Sequence, residues 1–368
     1  MQIPTTSKCA VLEEFKKPLV IKQLPIPDVE PGAILVKTLL ATLCGSDIGG
    51  WMGQSRIIKL PRIFGHEMVG EVVKLGQGVT KDWFEDNLNV GDRIVFSPAS
   101  CGRCYFCNVL HMPNFCPNRI SYASGSSTCD KPPYLLGACS EYIYVAPTCG
   151  VKKLPPEVEN EEASPATCAF RTVIRSFERL GEIGTEDTVL IQGAGNLGLC
   201  ATVLADNSSA RRVIVVDITD ERLADAKRFG ADVTLNASVL TEEELQKQVL
   251  ELTDGRGADI VLNYSTVAST FKQGLELIRK GGRYIVIGNI SGKIEFDPSI
   301  VLHKELNIKG TYSADISHYH KAIEFLKNNK DKYPFKELVT SRHKLEDVNE
   351  ALYAMVEGRD RKPAIVFE

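Results

Sequence analysis

Four cysteines lie close together in one short stretch of the chain. They form Cys101-Gly-Arg-Cys104-Tyr-Phe-Cys107, and Cys116 follows after a gap of eight residues. Two Cys-x-x-Cys pairs therefore share their middle cysteine. Four thiolates at this spacing suit one tetrahedral zinc ion with no open coordination position, so the spacing predicts a structural metal site that holds a loop. The alternative is a disulfide cluster, which is typical of secreted proteins, and this chain has no other feature of a secreted protein.

Length, charge and cysteine usage narrow the class of protein. The chain has 368 residues, enough for two domains, and its formal net charge of -4 predicts no strong attraction to nucleic acid or anionic lipid. The first residues lack the pattern of a signal peptide, and no apolar run reaches membrane-spanning length. The 11 cysteines are an odd, partly scattered set, which is typical of a reducing compartment. We expect a cytoplasmic protein with neither nucleic-acid nor membrane partners.

The first part of the chain is predicted to be rich in strands. Short apolar runs at residues 34–36, 68–73, 93–96 and 142–145 lie between Gly, Pro and Asp residues. The pattern changes near residue 161. There Ser164-Pro165 is typical of a helix N-cap followed by proline at the first helical position, and Gly181 is predicted to end that helix.

Strands and helices alternate beyond Gly181. Apolar strands are predicted at residues 189–192, 213–217, 233–235, 260–262, 284–287 and 306–308. The intervening helices are predicted after Gly198, over 221–229 and from the capping box at 241–244. This alternation predicts an α/β domain with a parallel sheet covered on both faces. The tail beyond residue 312 carries two further helices and a closing strand, and it is expected to complete the N-terminal β domain.

A glycine-rich loop follows the first of these strands. Its sequence is Gly193-Ala-Gly195-Asn196-Leu197-Gly198, and it opens a predicted helix. In this context Gly193 permits a tight turn, Gly195 lets a pyrophosphate approach the backbone, and Gly198 allows close packing of helix on strand. The free N–H groups of the helix N-terminus attract the anion. The loop therefore predicts a dinucleotide site.

Asp217 ends the next strand, 19 positions after Gly198. An acidic residue about 20 residues beyond the loop accepts hydrogen bonds from the adenosine ribose hydroxyls. The same carboxylate would repel a 2′-phosphate, so Asp217 favours NAD over NADP.

A second metal site is predicted from three separated segments. Cys44 and His66 each follow an apolar run, and Cys168 lies early in the helix that enters the second domain. A thiolate, an imidazole and a third protein ligand leave one position open, which is the arrangement of catalytic zinc. Zinc there would lower the pKa of a bound alcohol, and Ser46 could take the hydroxyl proton. Glu67 is an alternative third or fourth ligand, or a group beside the ligands. The choice between Cys168 and Glu67 as the remaining ligand therefore stays open.

These motifs together resemble those of the zinc-dependent medium-chain alcohol and polyol dehydrogenases. The resemblance covers nearly the whole chain, with the motifs in the family's order, including Val90-Gly-Asp-Arg93. It implies a GroES-like β-rich catalytic domain formed by residues 1–168 and 312–368, and a Rossmann dinucleotide-binding domain formed by residues 169–311. The active site would lie in the cleft between them.

The resemblance also assigns roles to individual residues. It makes Cys44, His66 and Cys168 zinc ligands and Glu67 a neighbour that can exchange onto the metal. Ser46 becomes the first hydroxyl of the proton relay, and Asp47 supports a ligand from behind. For the cofactor, Thr172 matches a nicotinamide-side residue, Arg222 a basic residue beside the adenosine ribose, and Lys362 a pyrophosphate contact.

Three positions depart from the family pattern. Gly49 stands where a histidine often ends the proton relay, so the proton must leave by another route. The gap between Cys107 and Cys116 is one residue longer than usual. The turn at residues 263–266, Asn-Tyr-Ser-Thr, replaces the common sequence near the nicotinamide ribose.

We therefore predict an NAD-dependent alcohol dehydrogenase with two zinc ions per chain, one catalytic and one structural. Its substrate would be a small, secondary alcohol or polyol, or the corresponding carbonyl compound, and the protein would be a homodimer or homotetramer. The alternatives are an NADPH-linked aldehyde or ketone reductase, and a binding protein that kept the fold without turnover.

Overall fold

The structure is a computed structural model that describes residues 3–55, 57–123, 125–288 and 290–367. The chain divides into two compact units. The first runs to Cys168 and resumes at Ala314–Lys330 and from Phe335 onwards. The second comprises Ala169–Ser313 together with Asp331–Pro334. No helix in the described ranges combines the length and apolar character needed to cross a bilayer.

The strands, in chain order, are β1 (Thr6–Leu12), β2 (Val20–Pro25), β3 (Ile34–Thr42), β4 (Arg62–Ile63), β5 (Glu67–Leu75), β6 (Arg93–Phe96), β7 (Tyr142–Val145), β8 (Val151–Lys153), β9 (Thr188–Gln192), β10 (Arg212–Asp217), β11 (Val233–Asn236), β12 (Ala258–Asn263), β13 (Ile278–Val286), β14 (Asn307–Gly310), β15 (Ser341–His343) and β16 (Pro363–Val366).

The α-helices are α1 (Gly45–Trp51), α2 (Tyr105–Asn108), α3 (Asn160–Pro165), α4 (Arg171–Leu180), α5 (Asn196–Asp206), α6 (Asp220–Arg228), α7 (Glu242–Leu252), α8 (Ser269–Leu277), α9 (Ser299–His303), α10 (Ile316–Asn329) and α11 (Val348–Val356). A π-helical turn, Ala166–Phe170, joins α3 to α4. Short 3₁₀ turns lie at Pro113–Phe115, Phe335–Leu338 and Leu345–Asp347.

The first unit is built on two sheets. Within the described residues the larger sheet has the order β15-β16-β3-β5-β6-β8, with β7 also paired to β3, and the smaller has the order β2-β1-β4. Inward-facing side chains such as Val36, Ile94 and Ile143 are almost fully buried and form one apolar core. The predicted return of the tail is confirmed, because β16 pairs antiparallel with β3 in the centre of this sheet.

The second unit is a parallel sheet with the order β11-β10-β9-β12-β13-β14 among the described residues. The central residues of strands β9, β10 and β12 are apolar and buried, as expected when helices cover both faces. The predicted alternation of strands and helices is confirmed. The strand order reverses at β9, and dinucleotides bind at such a switch point in this class of fold.

One predicted helix boundary is wrong. The helix begins at Asn160 rather than after Ser164, because Glu159 and Glu162 form a reciprocal capping box. Pro165 therefore lies inside the helix, where it has no N–H to donate. The wider π-helical turn follows Pro165 directly and contains Cys168. Such turns are frequent at functional sites.

Candidate metal centres and dinucleotide site

The first candidate metal centre begins where β3 ends. Cys44 is the N-cap of α1, and its backbone N–H donates to Asp47 Oδ2 at 3.0 Å. Asp47 is buried, and its other oxygen, Oδ1, lies 2.8 Å from His66 Nδ1. One carboxylate therefore fixes both the turn that carries Cys44 and the imidazole ring of His66.

The structure brings the four predicted ligands together. One donor atom from each of Cys44, His66, Glu67 and Cys168 lies within 4.8 Å of all the others. His66 Nε2 is 3.4 Å from both the Cys44 and the Cys168 sulfur. The candidates left open by the sequence, Cys168 and Glu67, are both present in this group, which lies entirely in the first unit.

The charges in this cluster favour a cation. Burial opposes protonation of His66, but Asp47 and Cys44 outweigh it and hold the pKa of the imidazole well above its ordinary value. The pKa of Cys44 is also raised, first by its side-chain hydrogen bond with Cys168 and then by burial. Two sulfurs, an imidazole nitrogen and a carboxylate oxygen form a donor set that zinc accepts, so the residues present fit this metal.

Glu67 is held by one oxygen only. Its Oε2 lies 2.5 Å from Lys362 Nζ and accepts a hydrogen bond of 2.5 Å from Thr42 Oγ1. Its Oε1 is buried and has no hydrogen-bond partner among the described residues. An orphaned buried carboxylate oxygen beside two thiols and an imidazole is a second observation that fits a bound cation.

Ser46 lies on the accessible side of the cluster. Its hydroxyl is 2.9 Å from the Cys44 sulfur and 3.4 Å from His66 Nε2. Ser46 is exposed, so substrate could reach it. Three residues further along α1, a Cβ at Gly49 would lie 3.1 Å from Gln54 Oε1, so a larger side chain there would have to displace Gln54.

The second candidate centre is the predicted group of four cysteines. One sulfur from each of Cys101, Cys104, Cys107 and Cys116 lies within 4.8 Å of the others, and all four are free thiols. The sulfur pairs 104–107 and 101–116 are 3.4 and 3.5 Å apart. Zinc–sulfur bonds of about 2.3 Å place tetrahedral sulfurs about 3.8 Å apart, so small adjustments suffice to close the group on zinc.

Thiol acidity differs across this group. Hydrogen bonds from the backbone of Arg103 and the side chain of Asn118 lower the pKa of Cys101 to about 6. Burial, followed by the neighbouring Cys104 thiol, raises the pKa of Cys107 to about 12. A cation at the centre would stabilise the thiolate of Cys107.

The glycine-rich loop has the predicted strand–loop–helix context. It joins β9 to α5, and Gly195 is the N-cap of that helix. Gly193 has φ +94°, which other residues rarely adopt, and a Cβ at Gly198 would lie 1.7 Å from the Gly193 carbonyl oxygen. Apart from atoms adjoining Gly195 in the chain, no heavy atom of the described residues lies within 4 Å of a Cβ placed on Gly195, so the space a pyrophosphate needs is open. Asn196 and Leu197, half-buried, form the first turn of α5.

Asp217 ends β10 beside this loop. Its Oδ2 accepts a hydrogen bond of 2.7 Å from Ala194 N, and its Oδ1 accepts from the N–H groups of Ile218 and Thr219. The carboxylate is therefore fixed against the loop. Each oxygen can accept more than one bond, so Oδ2 keeps a lone pair for a ribose hydroxyl.

The other predicted cofactor residues are scattered. Thr172 is buried on α4 and Arg222 is half-buried on α6, both in the second unit, and their cofactor contacts stay predictions. Lys362 has a partner that the sequence did not predict. Its side chain is 0 % exposed and pairs with Glu67, because it directly precedes β16 in the sheet of the first unit. Its contact with a pyrophosphate stays a prediction.

The unusual turn that begins at Asn263 has a structural role. Asn263 is fully buried, donates to Tyr284 Oη at 3.1 Å and accepts from Ser265 N at 3.0 Å.

Sequence reasoning missed one residue of the metal centre, Thr42, which donates to Glu67. Its only signal in the sequence is its position two residues before Cys44.

Comparison with known proteins places this geometry in a family. Residues 30–156 match the model of the alcohol dehydrogenase GroES-like domain, and residues 196–328 match the model of the zinc-binding dehydrogenases. The chain is 32% identical over 346 residues to 5-exo-hydroxycamphor dehydrogenase of Pseudomonas putida, covering 93% of this chain and 94% of the relative.

Solved structures of similar fold include an alcohol dehydrogenase and a ketone reductase. An alcohol dehydrogenase from Thermotoga maritima superposes with a TM-score of 0.93 at 34% identity, covering 99% of this chain and all of the other. The acetophenone reductase of Geotrichum candidum, solved with NAD, gives a TM-score of 0.82 at 25% identity, covering 100% and 99% of the two chains.

A β-rich unit with a thiol-rich metal centre and a parallel-sheet unit with a dinucleotide loop define a metal-dependent dehydrogenase. The chain belongs to the zinc-dependent medium-chain alcohol and polyol dehydrogenase family. It is an oxidoreductase that acts on small molecules with zinc and a nicotinamide cofactor.

Proposed function

We propose that this enzyme transfers hydride between a secondary alcohol and NAD at a zinc ion held by Cys44, His66 and Cys168. The observation that carries the proposal is the convergence of these three side chains, with Glu67, from separate segments of the chain. Bound zinc would act as a Lewis acid that makes the alcohol hydroxyl more acidic. Asp47 accepts the Nδ1 proton of His66 and so leaves Nε2 free to bind metal.

A second zinc ion held by Cys101, Cys104, Cys107 and Cys116 is part of the same proposal. These four sulfurs offer a closed site without a position for substrate, so this ion would stabilise the lobe rather than take part in catalysis. The prediction of a homodimer or homotetramer rests on the family resemblance alone.

The substrate class rests on the relatives. 5-exo-Hydroxycamphor is a secondary alcohol, and reduction of acetophenone produces one, so we propose a secondary alcohol or its ketone. The test is a screen of NAD reduction over aliphatic secondary alcohols, cyclic alcohols, polyols and hydroxy acids, with primary alcohols as the comparison set. Faster turnover of primary than of secondary alcohols would contradict the proposal, as would NADP-only turnover.

The choice of NAD rests on Asp217. Replacing Asp217 with serine is expected to raise the Kd for NADH roughly tenfold to a hundredfold, because a hydrogen bond to a charged group contributes about 1.5–3 kcal/mol. Preference over NADPH should narrow at the same time, because the repelling carboxylate is gone. Fluorescence titration with both reduced cofactors measures the two effects.

Asp220→Ser is the matched control. It removes the same charge three residues later, from the first turn of α6. If both variants changed NADH binding equally, general charge rather than the placement of Asp217 would determine the preference. Equal use of NADP by the unaltered enzyme would contradict the role directly.

Ser46 is proposed to receive the substrate proton. Replacing Ser46 with alanine is expected to lower kcat for alcohol oxidation by about a hundredfold to ten-thousandfold, the usual range for a general acid–base group. Ser46→Thr keeps a hydroxyl and should retain most of the activity. The rate and its pH profile are measured for both variants, with zinc content as the control for site integrity.

Because position 49 is a glycine, a Gly49→His variant can be compared with the native enzyme. Gly49→His should change the rate little, since the native enzyme already releases the proton by another route, although Gln54 must move to make room. An unchanged rate and pH profile in Ser46→Ala would show that the relay begins elsewhere.

A further inference from the structure

Three adjacent strands bring buried polar side chains up to the Cys44–His66–Glu67–Cys168 cluster. Strand β3 pairs with β5 so that Thr42 lies opposite Glu67, and it pairs with β16 so that Thr42 also lies opposite Ala364. Lys362 directly precedes β16. The register of the sheet therefore places Lys362, Thr42 and Glu67 side by side, and all three are 0 % exposed.

The two oxygens of Glu67 have different environments. Oε2 accepts from Lys362 Nζ and from Thr42 Oγ1, each at 2.5 Å, and the Thr42 hydroxyl is 2.9 Å from Ser164 Oγ. Lys362 Nζ is also 3.5 Å from the Leu43 carbonyl oxygen. Oε1 lacks a hydrogen-bond partner within the described residues. The contacts therefore anchor one oxygen and leave the other free.

This asymmetry matters because a cation and an ammonium group compete for the same carboxylate. A buried carboxylate is costly unless an opposite charge lies close to it. With Lys362 in place, its ammonium group neutralises the carboxylate of Glu67 at Oε2. Without Lys362, a metal ion bound in the cluster would offer the carboxylate an opposite charge.

We propose that Lys362 is a positioning residue that holds Glu67 by Oε2 and so keeps its carboxylate from permanently occupying the coordination position that substrate needs. Thr42 is the second anchor of the same oxygen. The proposal rests on the assignment of Cys44, His66 and Cys168 as metal ligands. It deepens that assignment by naming what limits the access of Glu67 to the metal.

The test uses the full-length enzyme with Co²⁺ in place of the zinc bound by Cys44. In Lys362→Met the absorption bands of the bound Co²⁺ should change, because a carboxylate oxygen enters its coordination sphere. The metal should leave more slowly on addition of a chelator. Meanwhile kcat should fall about tenfold to a hundredfold, the usual effect of changing a residue that supports a ligand.

Three further variants keep the proposal open to refutation. Lys362→Arg retains the positive charge and should keep the native spectrum. Glu67→Gln combined with Lys362→Met removes both charges and should return the Co²⁺ spectrum to the native form. If Lys362→Met does not fold, Thr42→Val removes the other anchor of Oε2 and should change the spectrum in the same direction by a smaller amount.

The outcomes are distinct. A native spectrum and a native kcat per bound metal in the folded Lys362→Met or Thr42→Val enzyme would overturn the proposal. Loss of metal in Lys362→Met that the added Glu67→Gln does not reverse would also overturn it, since the pair would then serve stability alone. Failure of the ligand assignment is recognised separately, because Cys44→Ser would then lose no metal.

Discussion

Replacing His66 with alanine is expected to lower kcat/KM for alcohol oxidation by at least about a thousandfold. A Lewis-acid metal contributes several kcal/mol to such a reaction, and each 1.36 kcal/mol corresponds to about tenfold in rate. His66 is central to the cluster, since its Nε2 is 3.4 Å from both thiol sulfurs. Its loss removes a ligand and leaves Asp47 buried without its imidazole partner.

Binding of NADH separates this effect from general misfolding. The glycine-rich loop and Asp217 belong to the second unit, whereas His66 belongs to the first, so NADH should bind to His66→Ala with nearly native affinity. His303→Ala is the matched control, because His303 lies exposed at the end of α9 and should leave the rate unchanged. Substantial turnover by metal-depleted His66→Ala would refute the assignment.

The parts of the site that sequence reasoning predicted well are local in the chain. The four lobe cysteines lie within one short stretch, so their spacing alone predicts that they meet around one ion. The strand, loop and helix at residues 188–206 follow from the same kind of local pattern, because each glycine has a steric reason to be there.

The parts that depend on the register between strands could not be predicted in this way. Lys362 is separated from Glu67 by most of the chain, and only the pairing of β16 with β3 and of β3 with β5 brings them together. The family resemblance implies a pyrophosphate contact for this lysine and gives no signal of its pairing with Glu67. In the same way the residue pattern alone left the choice between Cys168 and Glu67 open, since both reach the cluster through tertiary structure.

The start of the helix that carries Cys168 was misplaced for a chemical reason. Ser164-Pro165 has the residue types most common at helix starts, whereas the actual N-cap, Glu159, is an unusual choice. The buried Ser164 hydroxyl is instead 2.9 Å from Thr42 Oγ1. A residue type suited to capping was therefore used in the network behind the metal centre.

Replacing Cys104 with serine is expected to lower the zinc content from about two ions to about one per chain and to lower Tm on the order of 5–10 °C. Binding energy at a structural zinc site is folding energy, and a loss of a few kcal/mol shifts the Tm of a chain of this size by several degrees. The lobe has little else to hold it. Tyr105 and Val109 are 61% and 58% exposed, and α2 spans only Tyr105–Asn108.

Cys200→Ser is the control for this prediction. Cys200 is a buried thiol on α5, outside both sulfur groups, so its replacement should leave the zinc content unchanged whatever it does to packing. Zinc content and Tm are measured on both variants.

The Cys104→Ser enzyme should keep the ion bound by Cys44. Its turnover per folded chain at low temperature should stay near native, because the lobe cysteines offer no open position for substrate. A Cys104→Ser enzyme with two zinc ions and native Tm would show that the cysteine group binds no structural metal, while loss of both ions would show that the two centres are not independent.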